Sequence, residues 1–389
     1  MEKFKFIPYG RQDITEKDIE SVVKVLRSDF LTQGPAVPKF EKKLCNYTGS
    51  KYAVAVNSCT SALHIACLAL NLSRGDIVRT SPITFVASAN CALYCGASVD
   101  YVDVDPNTGL MSISELKKKL QISKKKGNLP KVVIPVHLAG QPCDMEEIHL
   151  LGKKYGFKII EDAAHALGGE YDGDPIGCCK YSDITVFSFH PVKMITTGEG
   201  GALMCNNKKL KNSIDLFRSH GITRNKNNFI SKNIKPEWYY EQIDLGFNYR
   251  MTDFQAALGS SQIKRLSTYV DKRNKIASIY DTSFSEFKDI NPLITSPECR
   301  SSYHLYVVRI SGKYLGYRDH LYRELKNQKI QTNVHYIPIY RQPFYDTGIR
   351  LNNTEKYYSQ AISLPIFPSL KYDEQQRVIK LLIDIIHSV

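Results

Sequence analysis

Short apolar runs at 53–56, 77–78, 132–136, 158–160 and 184–187 alternate with stretches at 61–72, 112–120 and 145–155 whose apolar residues fall three and four apart. A period near 3.6 marks a helix face, and an unbroken apolar run marks a strand covered on both sides. Strands separated by whole helices are free to pair in parallel, because a parallel neighbour needs a long crossover. The chain is therefore expected to be an α/β protein with a mostly parallel central sheet and helices on both faces.

In front of this pattern, Thr15-Glu16-Lys17-Asp18 precedes Ile19, Val22, Val23 and Leu26, which predicts a capped amphipathic helix outside the sheet. Behind it, a helical run over 252–287 leads to strands expected near 305–310 and 331–335 and to a terminal helix over 373–387. We expect a domain boundary near residue 260, with a large domain over 1–260 and a smaller α+β domain over 261–389. Between 221 and 246 the periodicity lapses into polar and aromatic residues, and a stretch of that kind in a compact chain is commonly functional or disordered.

Composition sets the outer limits. The 389 residues suffice for two to three typical domains. No apolar run approaches the roughly 18 to 20 residues that cross a bilayer. Met1-Glu2-Lys3-Phe4-Lys5 has no apolar signal core, so a soluble, cytoplasmic protein is expected. In that reducing setting ten scattered cysteines without a Cys-x-x-Cys pair read as free thiols, and no structural metal is expected. A formal net charge of +13 raises nucleic acid as a partner, but the basic residues are dispersed, and a solvated face that attracts anionic small molecules is the better reading.

One lysine stands apart. The run Phe187-Ser188-Phe189-His190-Pro191-Val192-Lys193-Met194-Ile195-Thr196-Thr197-Gly198-Glu199-Gly200-Gly201 ends an apolar strand with Lys193 and follows it with small residues. A Schiff-base lysine must lose its proton to attack an aldehyde, so it sits where partial burial lowers its pKa and little bulk crowds the adduct. A plain loop lysine is the alternative. Asn57-Ser58-Cys59-Thr60-Ser61-Ala62 follows the first strand and opens a helix, forming either an anion cradle or an ordinary N-cap. Ser188 could add a hydroxyl to the same phosphate. Asp162 stands at the carboxyl end of a parallel strand, where open α/β sheets build their sites, and could pair with a pyridinium nitrogen or cap the next turn. His165 could bond a ring oxygen or be a satisfied structural histidine, and Phe85, where another helix is expected to begin, could stack on a flat cofactor or fill core. A strand-end aspartate, a hydroxyl cradle, an aromatic stacker and a later lysine together describe pyridoxal phosphate binding as in fold-type I aminotransferases.

Five segments match one family in order and spacing: Leu31-Thr32-Gln33-Gly34-Pro35, Asn57 through Leu63, Asp162-Ala163-Ala164-His165-Ala166-Leu167-Gly168, the Lys193 run, and Gly246-Phe247-Asn248-Tyr249-Arg250-Met251-Thr252-Asp253-Phe254-Gln255-Ala256-Ala257. Over nearly its whole length the chain resembles the DegT/DnrJ/EryC1/StrS sugar aminotransferases. Within them, the Lys193 run, Tyr9-Gly10-Arg11-Gln12 and Asn333-Val334-His335-Tyr336-Ile337-Pro338-Ile339-Tyr340 look most like the pseudaminic acid pathway subgroup, from which Met194 departs where proline is frequent.

This resemblance implies Lys193 as the covalent anchor and proton carrier, Asp162 on the pyridine nitrogen, His165 and Phe85 at the ring, and Cys59, Thr60, Ser61 and Ser188 around the phosphate. It implies that Asn248 reaches the phosphate of the neighbouring subunit's cofactor, from the helix that 253–258 opens, so that a homodimer shares its active sites. Tyr9, Asp29, Phe30, Leu31, Thr32, Asn333, Val334, His335 and Tyr336, with the Cys59 backbone, would line the nucleotide-sugar site. The implied reaction moves nitrogen from L-glutamate to a UDP-linked 4-keto-6-deoxy-N-acetylhexosamine. A GDP- or dTDP-linked keto-sugar is the alternative acceptor. A noncatalytic nucleotide-sugar binder would need neither Lys193 nor Asp162, and a related dehydratase would have the lysine replaced, commonly by histidine.

Overall fold

The computed structural model describes residues 5–388 apart from 232, 234 and 235. Helices α1 (Glu16–Leu26) and α2 (Ala36–Thr48) lead into β1 (Tyr52–Val56) and α3 (Cys59–Ala69). Then come β2 (Ile77–Thr80), α4 (Ala87–Tyr94), β3 (Ser98–Tyr101), α5 (Ile113–Lys126), β4 (Val132–Ile134), α6 (Met145–Tyr155) and β5 (Lys158–Asp162). After β6 (Ile184–Ser188) and β7 (Gly201–Cys205), α7 (Lys208–Arg218) closes this part. These seven strands form one sheet in the order β1-β7-β6-β5-β4-β2-β3.

Strands β2 to β6 pair in parallel, while β7 runs antiparallel to both β6 and β1. The reversal has a local cause. Residues 189–200 join β6 to β7 without a helix, so the chain returns beside the strand it left, with Ser188 opposite Gly201. Lys193 therefore rides on a hairpin-like turn at the end of a buried strand. The expectation of a mostly parallel sheet with helices on both faces holds.

Helix α3 has almost no polar face, and Ser61 through Cys67 are all buried. It lies at the centre of one core, against Val54, Val56, Val78, Ile134, Ile160, Ile184, Val186 and Leu203 from the sheet. On the other face, α2 and α8 (Asp253–Gln262) supply Phe40, Leu44 and Ala256 around Phe187, Phe189 and Met194.

A second, three-stranded sheet comprises β8 (Ile290–Pro292), β9 (Tyr306–Ile310) and β10 (Ala361–Leu364), all antiparallel. Its core is built with α9 (Leu266–Phe284), α10 (Arg318–Asn327) and the terminal α12 (Tyr372–His387), beyond α11 (Asn352–Gln360). Ile7 is buried in that core and bridges Ile330 in parallel, so the N-terminal segment crosses to the C-terminal part of the chain.

Three expectations are corrected. The run 252–287 is two helices, α8 and α9, separated by a 3-10 turn at Ile263–Arg265. The strand expected at 331–335 is a single bridge between Asn333 and Ser363, the Val334 N–H being taken by Asn333 Oδ1 instead of by a neighbouring strand. Asn248 is not on the helix that follows it: it bridges Ser219 antiparallel, and α8 starts only after the Thr252–Gln255 capping box. The 221–246 stretch holds a short antiparallel pair, Ile222–Thr223 with Glu241–Gln242. Among the described residues, no helix is long and apolar enough to cross a membrane.

Candidate active site

The carboxyl ends of β1, β5 and β6 converge on the start of α3, and the chemistry-bearing residues gather there. Asp162 closes β5 and is buried. Its Oδ2 accepts a 2.6 Å hydrogen bond from Ser88 Oγ, and its Oδ1 accepts the Ala164 N–H at 3.1 Å. Ser88 Oγ is in turn 2.8 Å from Thr84 Oγ1. Two donors hold this buried carboxyl in one orientation, and it retains lone pairs for a further one.

Lys193 is half-buried and lies within electrostatic reach of Asp162 and Cys59. Burial pulls its pKa down to about 8, against the upward pull of Cys59 and Asp162. Relative to an ordinary lysine near 10.5, that raises the free-amine fraction at neutral pH by roughly 300-fold. The Cys59 thiol is pushed well up by burial and by Asp162, so it stays protonated beside them.

The α3 N-terminus presents the backbone of Cys59, Thr60 and Ser61. Ser58 Oγ caps it by accepting the Ser61 N–H at 3.1 Å, and Ser61 Oγ donates to Asn57 Oδ1 at 2.7 Å. A Cβ at Gly201 would lie 2.7 Å from Cys59 N and from the Ser58 carbonyl, so only glycine lets β7 pass this close. Ser188, buried at the end of β6, sits opposite Gly201. An anion could be held by these amides and hydroxyls at a positive helix end.

The other wall is aromatic. His165 Nδ1 accepts the Ala139 N–H at 3.3 Å, which leaves Nε2 as the protonated nitrogen facing Tyr336 Oη at 3.0 Å. The two rings stack at 5.9 Å and 24°. His304 packs 4.4 Å from His165, held through its carbonyl by buried Arg273. His335 is fixed likewise: Asn333 Nδ2 lies 3.3 Å from its Nε2, and its Nδ1 lies 2.8 Å from Ser363 Oγ. Burial, then the charge of Lys193, lowers the pKa of His165 and His304 and brings His335 to about 3. Three neutral imidazoles thus lie within electrostatic reach of one amine. Tyr9 lies 5.6 Å from His335, carried there by the crossing N-terminal segment.

Phe85 precedes α4 and is 60% exposed, 6.4 Å from Tyr336, so its face is free to stack on a planar ligand. Asn248 is exposed; its carbonyl accepts from Asn57 Nδ2 at 3.4 Å, at the rim of the α3 cradle. Asp29, Phe30, Leu31 and Thr32 are exposed, and no hydrogen bond joins them to the Lys193 cluster among the described residues. They are tied to the start of α8, where Leu31 O accepts the Asp253 N–H at 2.8 Å, and Gln255 reaches Glu199 O at 2.8 Å in the loop after Lys193. Val334 is half-buried beside Asn333, whose Oδ1 accepts its N–H at 2.8 Å.

Sequence reasoning missed Ser88 and His304. The first had a signal, since Ser88 stands four residues after Thr84, where a helix was expected to begin. The second had none, because His304 meets His165 across 139 residues of chain by position number alone. Pyridoxal phosphate fits these groups: an amine poised near neutrality, a buried carboxylate, an exposed aromatic face at Phe85, and an anion cradle that an added Cβ would fill.

Comparison with known proteins identifies a family. The profile of the DegT/DnrJ/EryC1/StrS aminotransferase family matches residues 12–383. The UDP-4-amino-4,6-dideoxy-N-acetyl-beta-L-altrosamine transaminase of Campylobacter jejuni serotype O:23/36 is 38% identical over 386 residues, covering 98% of both chains. The solved structure of PseC from Helicobacter pylori, an aminotransferase involved in the biosynthesis of pseudoaminic acid, superposes with a TM-score of 0.90 at 31% identity, over 99% of this chain and 100% of that one. The sugar aminotransferase Spr1654 of Streptococcus pneumoniae, solved in a PLP form, gives 0.88 at 30% identity, over 99% of each chain. With its Lys193–Asp162 pair at the head of a fold-type I sheet, the chain belongs to the DegT/DnrJ/EryC1/StrS aminotransferase family.

Proposed function

We propose that this protein is a pyridoxal phosphate-dependent transaminase that moves nitrogen from L-glutamate to the 4-keto group of a UDP-linked 4-keto-6-deoxy-N-acetylhexosamine, in pseudaminic acid biosynthesis. The observation that carries it is the convergence of Lys193, Asp162 and the Cys59–Ser61 amides at one end of the sheet. The altrosamine transaminase and PseC likenesses, which span nearly the whole chain, support the acceptor.

The cofactor supplies an electron sink that makes the donor's α-proton and nitrogen transferable. Lys193 Nζ anchors it and, once released, carries the proton. Asp162 holds the proton on the ring nitrogen, and Ser88 holds Asp162. Cys59, Thr60, Ser61 and Ser188 bind the phosphate, and Phe85 covers the ring. His165 stays neutral and orients the Tyr336 hydroxyl toward the acceptor side, with Tyr9 and Asn333 to His335 beside it. Asn248 and the exposed residues 29–32 complete a site shared across a cytoplasmic homodimer. A division of the chain near residue 260 belongs to this reading, and the separate core under β9 supports it.

The test is a spectral titration of the purified protein with pyridoxal phosphate, then L-glutamate, then the UDP-keto-sugar. A visible lysine-bound band that glutamate bleaches and the UDP-sugar restores is the expected result. Restoration only by a GDP- or dTDP-linked sugar would replace the acceptor, and no band at all would leave a nucleotide-sugar binder.

A further inference from the structure

Two segments far apart in the chain meet at the first turn of α8. Asp253, the first residue of that helix, is 1% exposed. Its Oδ2 accepts the Gly34 N–H at 2.7 Å, and its Oδ1 accepts those of Ala36 at 2.7 Å and Val37 at 3.3 Å. Its own N–H donates to Leu31 O at 2.8 Å. One residue thus holds the backbone of 31–37 at both ends.

The need for it is visible in the sequence. Ala36 and Val37 open α2, and the leading N–H groups of a helix have no partner inside it. Pro35 stands at the N-cap and has no side-chain oxygen to offer them. Asp253 fills that role from 217 positions away, so the positive ends of α2 and α8 meet at one carboxyl. The turn in front is tight: Gln33 lies in the left-handed region at φ 57°, and a Cβ at Gly34 would come within 2.4 Å of Phe30 Cβ. Asp29, Phe30, Leu31 and Thr32 remain exposed above this anchored backbone.

The same turn of α8 holds the lysine loop. Gln255 Nε2 donates to Glu199 O at 2.8 Å, and Thr197 Oγ1 donates to that carbonyl at 2.7 Å. A Cβ at Gly200 would lie 2.7 Å from Met251 Cε, so the residues just before α8 also press on the end of this loop. The start of α8 is therefore a common anchor for residues 29–37 and for the loop that carries Lys193.

We propose that Asp253 is a positioning residue for the nucleotide-sugar acceptor, fixing where residues 29–32 stand relative to Lys193, and that Gln255 independently fixes the Lys193 loop. This rests on the reading of 29–32 as acceptor-binding. A plain helix cap would make the same bonds to α2, but its loss would not single out one substrate.

Two near-isosteric variants separate the roles. Asp253→Asn keeps the size and turns one accepting oxygen into a donor that faces an N–H. Gln255→Glu keeps the oxygen that accepts the Thr252 N–H and hydroxyl, and loses the donor to Glu199 O. The purified full chain, loaded with pyridoxal phosphate, is followed through glutamate bleaching and UDP-keto-sugar restoration as separate steps, and amide hydrogen exchange is measured over 29–37 and 189–201 without any substrate. For Asp253→Asn we expect exchange over 29–37 and the acceptor concentration for half-maximal restoration each to rise about tenfold, with cofactor capture and glutamate bleaching within about twofold of the wild type. Gln255→Glu should raise exchange over 189–201 instead and slow both steps together, leaving half-saturation by the acceptor unchanged. Gly34→Ala, which pushes the turn away from Asp253 while the carboxyl stays, should repeat the Asp253→Asn pattern and serves if that variant does not fold.

Equal losses in both steps for Asp253→Asn, or faster exchange over 29–37 with acceptor half-saturation unchanged, would reduce Asp253 to a helix cap and overturn the proposal alone. A wild type that glutamate bleaches and no nucleotide-linked keto-sugar restores would overturn the acceptor reading, and this proposal with it.

Discussion

Ser88 Oγ donates to Asp162 Oδ2 at 2.6 Å in a fully buried contact, so a serine on α4 sets the direction of the carboxylate that closes β5. The Thr84 hydroxyl, 2.8 Å behind, helps to fix the Ser88 rotor. A hydrogen bond to a buried charge is worth about 1.5–3 kcal/mol. Ser88→Ala should therefore weaken pyridoxal phosphate binding and lower kcat by roughly 10- to 100-fold while the protein stays folded. Fluorescence titration of the cofactor and steady-state kinetics measure both, and unchanged values would show that Asp162 needs no such support.

Lys193→Ala should remove covalent capture and turnover. In the wild type the free amine grows as pH rises toward about 8, so the rate of cofactor capture by apoprotein should climb about tenfold per pH unit below that value and flatten above it. Stopped-flow absorbance across pH 6 to 10 tests this; a rate still climbing near 10 would mean an ordinary lysine.

The neutral histidines make the protein acid-sensitive. His165, His304 and His335 have folded pKa values below the ordinary 6.5, with His335 at about 3. The unfolded chain then binds protons that the folded one refuses, so stability is full above pH 6.5 and falls as pH drops toward the folded values, by up to about 1.4 kcal/mol per unit for each histidine. Urea midpoints between pH 7 and 4 should fall steeply, and His304→Phe should flatten the slope even if it lowers the starting value. An equal slope in that variant would exclude His304 from the effect.

Gly201→Ala should damage the cradle without touching a hydroxyl. The new Cβ would lie 2.7 Å from Ser58 and Cys59 backbone atoms, which must shift. Overpacking of this kind costs about 1–3 kcal/mol. We expect a lower Tm, together with a larger loss of affinity for pyridoxal phosphate than for pyridoxal; equal losses would place the damage outside the phosphate cradle.

Much of the strand-end arrangement was legible because it is local. Apolar runs ended at Asp162 and near Lys193, and Ser58 preceded a helix whose interior lacks polar residues, so strand, cap and loop followed from short-range sequence alone. The antiparallel β7, the break between α8 and α9, and the bridge that replaces a strand at Asn333 were not legible, since each depends on what the segment meets after folding. Partners distant in the chain were hidden for the same reason: Ser88 on Asp162 and His304 on His165. Sequence by itself determined which groups could do the chemistry and where strands would end, because periodicity and capping act within a few residues. Only the tertiary structure decided which imidazoles stay neutral around Lys193 and what holds Asp162 in place, because burial and hydrogen-bond geometry arise when segments far apart in the chain are packed together.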